Sequence, residues 1–503
     1  MKRNLFVLIA IFVCACSFAQ GEIDALRLSG TDLQGTARGQ AMGGAFGALG
    51  GDVTGILINP AGLGVYRSSE VNATLSVAST NIKTNWNGST ETQDRSKFNF
   101  DNISYVGYFP TGNDKCRTIN FGFTYNRLKN FDRKYSASAT GLNSSLTDYI
   151  AKITNGVYYE DLYSNENSDP YDSGIPWLSV LGWDGYLIND TDDYEYSGLF
   201  SDESTNPSLR VSERGRIESY DFSLGTNISD VLYLGATFSI MDISYHLYSS
   251  FDEKYELGGS IGLDNDLETQ GDGIQLKVGA IWRPIDALRI GVAYHSPTWY
   301  SLTDYYQGNT YADYEDIHNK TARTPDGAYT NYRFHTPDSW VFSVAGILGT
   351  KAVVSLDYEL KNYSGMYLNE DYAGNRYSET NKFMDKAFNS TASTIRAGLE
   401  YRFTPQLSGR VGYSWMQNPY KESYKDQLLI SGTIPHYTVE GDVNYFTAGI
   451  GYRFTPQFYV DATFVYKTQT DVLYGYPLVF NNSEPASLKS NTSKGLVTLG
   501  YKF

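Results

Sequence analysis

Gly258-Gly-Ser260-Ile-Gly262 has the G-x-S-x-G spacing of a serine nucleophile. That chemistry needs the serine on a strand-to-helix turn in an α/β sheet. Here the pattern lies in a Gly-rich connection, so no catalytic residue is assigned and no enzyme is expected. The five histidines, His246, His295, His318, His335 and His436, are scattered, and no pair has metal-ligand spacing. No metal site and no cofactor are therefore expected. The acidic runs Asn189-Asp-Thr-Asp-Asp-Tyr-Glu195 and Asp264-Asn-Asp-Leu-Glu268 read as solvated surface loops. Calcium binding by them stays open, although neither has EF-hand spacing.

The remaining candidates are charges that recur at every second or fourth position. Arg396, Glu400 and Arg402 share one face of a period-2 segment, Arg410 faces the same way on the next, and Asp461 and Lys467 do so further on. What positions them is a series of period-2 segments running from Glu70 to the end of the chain. Fourteen such strands are expected, among them Asn99–Pro110, Ile217–Asn227, Gly273–Arg283, Ser393–Phe403 and Gly495–Phe503, joined alternately by short and long connections. In the strand Val443–Phe454, Phe446, Ala448, Ile450, Tyr452 and Phe454 share one face, and Thr447, Gly449, Gly451 and Arg453 the other. An arginine facing lipid costs about 2–4 kcal/mol at the bilayer midplane. The aromatic face is therefore the outer one, and the charged residues face a lumen, where they form a fixed network or select a substrate.

The last residues point to the same architecture. Phe503, Tyr501, Leu499, Val497 and Gly495 alternate with Lys502, Gly500, Thr498 and Leu496. An uncovered apolar strand at a chain end invites aggregation in water. In a closed transmembrane barrel its apolar face meets lipid and both its edges are paired. The 503-residue chain has 43 Tyr, 25 Phe and 48 Gly, with a mean hydropathy of -0.36. That suits strands that are apolar on one face only.

Lys2 and Arg3 precede the apolar run Leu5–Ala15, and Ser17-Phe18-Ala19 fits a signal cleavage site. Residues 1–19 are read as a signal peptide. Acylation at Cys16 is the rival, but Cys14 spoils the lipobox. After cleavage only Cys116 of the three cysteines remains. The formal net charge is -16, or -18 once the two cations Lys2 and Arg3 are removed. A nucleic-acid partner needs the opposite sign.

Residues 20–66 do not read as a strand. The run Gly35-Thr-Ala-Arg-Gly-Gln-Ala-Met-Gly-Gly-Ala-Phe-Gly-Ala-Leu-Gly-Gly51 allows backbone to pack on backbone. A compact, partly helical plug inside the lumen is expected, with residues 67–503 as the barrel. The largest outer loop, about 130–216, contains a helix-compatible stretch near Leu146–Ile153. It folds over the barrel mouth or stays a disordered surface loop.

Asn59-Pro60-Ala61-Gly62-Leu63, preceded by Ala48-Leu-Gly-Gly-Asp52, resembles the N-terminal motif of the FadL/TodX-type (OMPP1) transporters of long-chain fatty acids and aromatic hydrocarbons. Signal, motif, strand count and terminal Phe503 occur in that order, as in the family, and the resemblance spans essentially the whole mature chain. The resemblance implies an all-β, 14-stranded antiparallel barrel in the outer membrane of a Gram-negative cell, with an N-terminal plug and long extracellular loops. It implies passive transport of a hydrophobic small molecule, contact with outer-membrane lipid, and assembly by the barrel-assembly machinery through Phe503, Tyr501 and Leu499. The molecule is expected to be a monomer. Asn59, Pro60, Ala61, Gly62 and Leu63 would gate the path or merely turn the plug into strand one. Some relatives, including Bacteroidetes-like members, are labelled hemin receptors, for which His246 or His295 could ligate haem. Others act as non-transporting partners in secretion.

Overall fold

Backbone in lipid has no water to bond, so a spanning sheet must satisfy every N–H and C=O internally. The computed structural model, which describes residues 21–163, 169–199, 203–370, 377–421, 432–477 and 485–503, meets that demand by closure. The signal segment, Cys16 and Gln20 lie outside the described residues. Fourteen antiparallel strands form the wall: Glu70–Trp86, Ser89–Pro110, Cys116–Asn130, Thr205–Ile228, Leu232–Tyr255, Ser260–Ile285, Leu288–His295, Ser339–Leu348, Ala352–Lys361, Ala392–Arg402, Leu407–Met416, Val443–Arg453, Phe458–Tyr474 and Ala486–Lys502. Each pairs with the next, and the last pairs with the first from Glu70↔Lys502 to Asn85↔Ser487. Ser69 N donates to Phe503 O at 3.1 Å and Phe503 N to Ser69 O at 3.0 Å, which seals the seam at the short-turn end.

The facing follows the alternation. Tyr501, Leu499 and Val497 point outward, whereas Thr498 and Leu496 are buried. Around the wall the outward residues near the short turns are large and apolar, such as Phe222, Leu224, Phe238, Phe342 and Phe464.

Four strands start earlier than the alternation suggests: strand two at Ser89, strand four at Thr205, strand six at Ser260 and strand fourteen at Ala486. The upper part of strand two, Thr90-Glu-Thr-Gln-Asp-Arg-Ser-Lys97, is polar on both faces, and those of strands four, six and fourteen are polar outward while Leu209, Val211, Ile261, Leu263 and Leu488 turn inward and are buried. Above the lipid the outward face meets water, so the outward apolar residues that mark the lipid-embedded half disappear while backbone pairing continues. Asp264–Glu268 accordingly lies within strand six, not in a loop, and Ser260 opens that strand. Asn189–Glu195 forms most of a small hairpin, Ile188–Asp192 with Glu195–Gly198.

The segment 130–216 folds over the mouth. A strand, Arg133–Ser138, lies along strand four. Helices α4 (Leu146–Thr154) and α5 (Trp177–Asp184) bury Leu146, Ile150, Leu178 and Leu181. Those side chains share one apolar cluster with Leu26 and Leu28 of the N-terminal helix α1 (Glu22–Ser29). Two further short helices, α2 (Ala37–Ala41) and α3 (Val53–Ile58), and a 3₁₀ turn, Pro60–Val65, complete the N-terminal segment within the barrel. A last helix, α6 (Ser378–Ala387), packs against α1 in the cap.

The wall has one local break. Strand seven stops at His295 and resumes as Trp299–Tyr314, and strand eight is preceded by Tyr329–His335. Between the cross-strand pairs His295↔Ser339 and Trp299↔His335, Ser296-Pro297-Thr298 runs opposite Thr336-Pro337-Asp338. Two prolines at one level remove two ladder donors.

Removing Phe503 deletes both seam hydrogen bonds. Cell fractionation is expected to recover less heat-modifiable barrel from the membrane, with unchanged behaviour per folded molecule. Equal recovery would show that the seam closes without it.

Candidate functional site

The N-terminal segment crosses the lumen from wall to wall and is held by polar contacts at both ends. On one side Thr36 caps α2, with Gly39 N donating to its Oγ1 at 3.1 Å, and the hydroxyl itself donates to Asp52 Oδ1 at 2.9 Å. Asp52 in turn caps α3, accepting from Thr54 N at 2.9 Å. Caps of this kind satisfy backbone donors that a short helix leaves free. Arg38, projecting from α2, grips Glu400 of strand ten with both arms: Nε to Oε2 at 2.8 Å and Nη2 to Oε1 at 3.1 Å. Arg410 of strand eleven reaches the same carboxylate at 2.6 Å and also pairs with Asp461 of strand thirteen. Three wall strands and the N-terminal segment thus share one buried cluster. Planar, bidentate pairing gives it orientation as well as attraction.

On the opposite side Asn59 ends α3 and starts the 3₁₀ turn. Its Oδ1 accepts from Ala61 N at 3.1 Å, and its Nδ2 donates to Gly47 O at 2.7 Å and to Ala280 O at 3.2 Å in strand six. Pro60 occupies the first position of the turn, where its missing N–H costs nothing. Ala61, Gly62 and Leu63 are fully buried, and Leu63 O accepts from Asn120 Nδ2 of strand three at 2.8 Å. The wall makes room with glycine. A Cβ at Gly279 would lie 2.0 Å from Asn59 Oδ1, and one at Gly235 would lie 2.3 Å from the Pro60 carbonyl.

The four luminal charges do not form one network. Glu400 and Arg410 belong to the cluster just described. Arg396 is separate, pairing with Glu359 of strand nine. Arg402, the last residue of strand ten, stays outside both clusters. It is solvent-exposed at the lip, where the barrel opens to water, and borders a polar recess there. Lys467 pairs with Asp32 of the N-terminal segment at 2.9 Å, and Asp461 joins Arg410. Sequence periodicity found the wall charges but missed their luminal partners Arg38 and Asp32. An arginine isolated in a Gly/Ala run was the available signal for Arg38.

Above the Asn59 turn lies a cavity of about 140 Å³. Its apolar lining includes Leu57, Ile58, Leu128, Met241, Val341 and Met416, and Thr298, Thr336 and Pro337 bring it against the break in the wall. Lys277, His295, Lys361 and Arg396 also face it. His295 Nε2 lies 2.8 Å from Ile58 O. A carbonyl cannot donate, so that nitrogen carries the proton. His246 Nε2 sits 3.0 Å from Asp266 Oδ2. Among the described residues no group of three His, Cys, Asp or Glu could hold a metal ion.

The cap over the mouth carries its own buried carboxylate. Glu253, at the upper end of strand five and fully buried, accepts from Ser145 Oγ at 2.5 Å and Leu146 N at 3.0 Å at the start of α4. Burial pushes its carboxyl up to about 7, outweighing the bonds from Ser145 and Leu146 that favour the anion.

The sequence model of the family described as "Outer membrane protein transport protein (OMPP1/FadL/TodX)" matches residues 228–491. None of the curated proteins matches the chain. Among solved structures, a FadL homologue of Pseudomonas aeruginosa superposes with a TM-score of 0.55 at 13% identity, covering 94% of this chain and 99% of that one. The toluene transporter TodX of P. putida superposes with a TM-score of 0.51 at 13% identity, again over 94% and 99% of the two chains. At that identity the likeness is one of fold.

Two consequences of the charges can be measured. Arg410→Met leaves Asp461 unpaired and Glu400 with Arg38 alone, so the unfolding midpoint in denaturant should fall by the equivalent of about 3–5 kcal/mol. Arg402→Met should leave it unchanged. At Glu253 the folded chain holds the proton more tightly than the unfolded one, so this stabilisation is full below the ordinary value of 4.5 and lost as pH rises through about 7. Hydrogen exchange around 144–148, corrected for intrinsic rate, should accelerate across that window. Glu253→Gln should flatten the pH dependence.

Proposed function

The chain belongs to the outer membrane protein transport family (OMPP1/FadL/TodX), and from that premise we propose that it carries hydrophobic small molecules passively across the outer membrane. Members of this family are integral outer-membrane barrels that transport hydrophobic compounds, and the chain is one of them. The observation that carries the finer reading is the cavity. It lies directly against the N-terminal segment and is bounded in part by apolar side chains. A lumen filled solid would suit a partner protein in secretion instead. An engineered apolar cavity of roughly 150 Å³ holds a benzene-sized molecule. A space of about 140 Å³ therefore admits one ring or the end of a longer chain. Anything larger has to displace part of the N-terminal segment.

On this reading residues 21–66 act as the plug, and the Asn59–Leu63 turn is where it is fastened. Asn59 holds Gly47 and Ala280 together with one amide, so its release frees a plug loop and the wall at once. The two routes out of the cavity are downward, past that turn, and sideways, through the wall between Pro297 and Pro337. Phe503, Tyr501 and Leu499 serve assembly by the barrel-assembly machinery, and the functional unit is a monomer in outer-membrane lipid.

Replacing Asn59 and Pro60 together by Gly tests the fastening. Planar-bilayer conductance and sensitivity to large hydrophilic antibiotics should both rise, and uptake of an apolar probe such as toluene should lose its selectivity. A double variant that assembles normally, stays tight to ions and keeps selective uptake would make the turn a connector only. Loss of the whole protein with no change in toluene or fatty-acid uptake would overturn transport itself.

A further inference from the structure

Two neighbouring hairpins at the short-turn end carry the same six residues, Tyr401-Arg-Phe-Thr-Pro-Gln406 and Tyr452-Arg-Phe-Thr-Pro-Gln457. Every position but one has a local task. The aromatic residues point outward, with their rings 5.1 Å apart in the first hairpin and 4.8 Å apart in the second. Thr404 and Thr455 hold the turns, each hydroxyl accepting at 2.9 Å from the N–H three residues on, and the proline fixes the backbone between. The Gln406 and Gln457 carbonyls accept from Arg453 N at 2.9 Å and Lys502 N at 2.8 Å on the neighbouring strand. The arginine is the exception. Among the described residues the side chains of Arg402 and Arg453 make no hydrogen bond and no ion pair.

Both guanidinium groups are exposed, but not to lipid. Alternation with the outward Tyr401, Phe403, Tyr452 and Phe454 turns them into the mouth, where they border a polar recess of about 120 Å³. Ser408 and Gly451, paired in turn with Arg402 across the sheet, are small and leave room beside it. The floor is already satisfied: Glu400 is held by Arg38 and Arg410, Asp461 by Arg410, and Asp52 by Thr36 and Thr54. Lys502, on the same rim, pairs with Glu70 at 3.3 Å. Across the mouth the arginines are matched, Arg117 with Asp230 and Arg283 with Asp286. Two unmatched guanidinium groups thus face one recess in a chain whose net charge is -16.

We propose that this side of the lip docks an acidic segment of a soluble periplasmic protein, whose carboxylate side chains enter the recess and pair with Arg402 and Arg453. The short-turn end is the periplasmic one. Guanidinium groups take carboxylates with paired, planar hydrogen bonds, and a recess with low-dielectric walls concentrates their field. The volume admits side chains but not a folded domain, so the partner rests on the lip and inserts its acids. A lipid phosphate meets the wall from outside, where Tyr401 and Phe403 stand instead of the arginines; an occupant arriving through water meets the arginines directly. The docking goes beyond the transport reading and does not depend on which solute crosses the barrel.

The test uses the full-length protein in phosphatidylcholine nanodiscs, which expose both ends of the barrel. The probe is a fluorescein-labelled helical peptide with glutamates along one face, read by anisotropy. Wild type should bind it, more weakly as salt is added. Arg402→Glu with Arg453→Glu should lower the affinity about tenfold or more, as lost hydrogen bonds between charged groups imply. Lys115→Glu, across the mouth, should leave it unchanged. Heat-modifiability should match wild type in every variant; should the double variant fail to assemble, Arg402→Met and Arg453→Met, made singly, carry the comparison and should each weaken binding. No binding by wild type would overturn the docking site, and so would equal binding by the arginine variants or an equal loss in Lys115→Glu. Native mass spectrometry after reconstitution with phosphatidylglycerol reads the lipid alternative. If wild type retains that lipid and the double variant loses it while peptide affinity is unchanged, the lip is a lipid site and the proposal falls. Each of these failures leaves uptake of toluene, and with it the transport reading, untouched.

Discussion

Closure of the sheet is the constraint from which the rest follows. Glu70↔Lys502 through Asn85↔Ser487 joins the two ends of the wall, and no strand edge is left for lipid to meet. A fourteen-stranded ring is too wide for its own side chains to fill, since about eight strands is the size at which side chains alone suffice. Something else must occupy the interior, and the chain spends its first described residues on it. That material has to fit between inward side chains already in place, which explains why it is rich in Gly and Ala and why the wall answers with glycine at Gly235 and Gly279. Side-chain bulk on either surface would separate Asn59 from the strand it binds.

The filling is held by polar contacts rather than by a continuous apolar core. Only small apolar clusters, such as Met42, Phe46 and Leu49 or Ile56, Leu63 and Val106, form around it. The directional contacts are spread around the wall: Arg38 with Glu400, Asp32 with Lys467, Gly47 N with Asp357, Leu63 O with Asn120 and Asn59 with Ala280. Polar fastenings release in steps, because each hydrogen bond can be exchanged for water or a ligand group, whereas a packed core separates all at once. A plug held in this way can shift locally while the ring stays closed. Above it the opposite holds. The cap, built from α4, α5, α6 and the long strand extensions, shares a large apolar cluster with α1. Entry from outside therefore means parting an apolar core, which disfavours water and ions but not an apolar solute.

Alternation made the lipid-embedded half of each strand legible. Val443–Arg453 and Phe458–Lys467 alternate because one face is in lipid and the other in the lumen. The same rule fails at Ser89–Lys97, polar on both faces, and is inverted at Thr205–Arg216, where Leu209 and Val211 turn inward and the outer face is polar, so the extensions were hidden. The luminal charges were legible as a set but not as pairs. Arg396 and Arg402 sit on the same face as Glu400, yet pairing depends on which strand lies opposite and at what height, and on residues from the N-terminal segment that no strand pattern places. Asn59 was visible through its motif.

Height in the barrel then connects these parts. Lys277 pairs across the sheet with His295, and His295 with Ser339, so these residues lie at the level where strands seven and eight are interrupted at their prolines. The fastening turn is just below, since Ile58 accepts from His295 and Asn59 from its own segment only one residue later. One imidazole thus links the floor of the cavity to the wall.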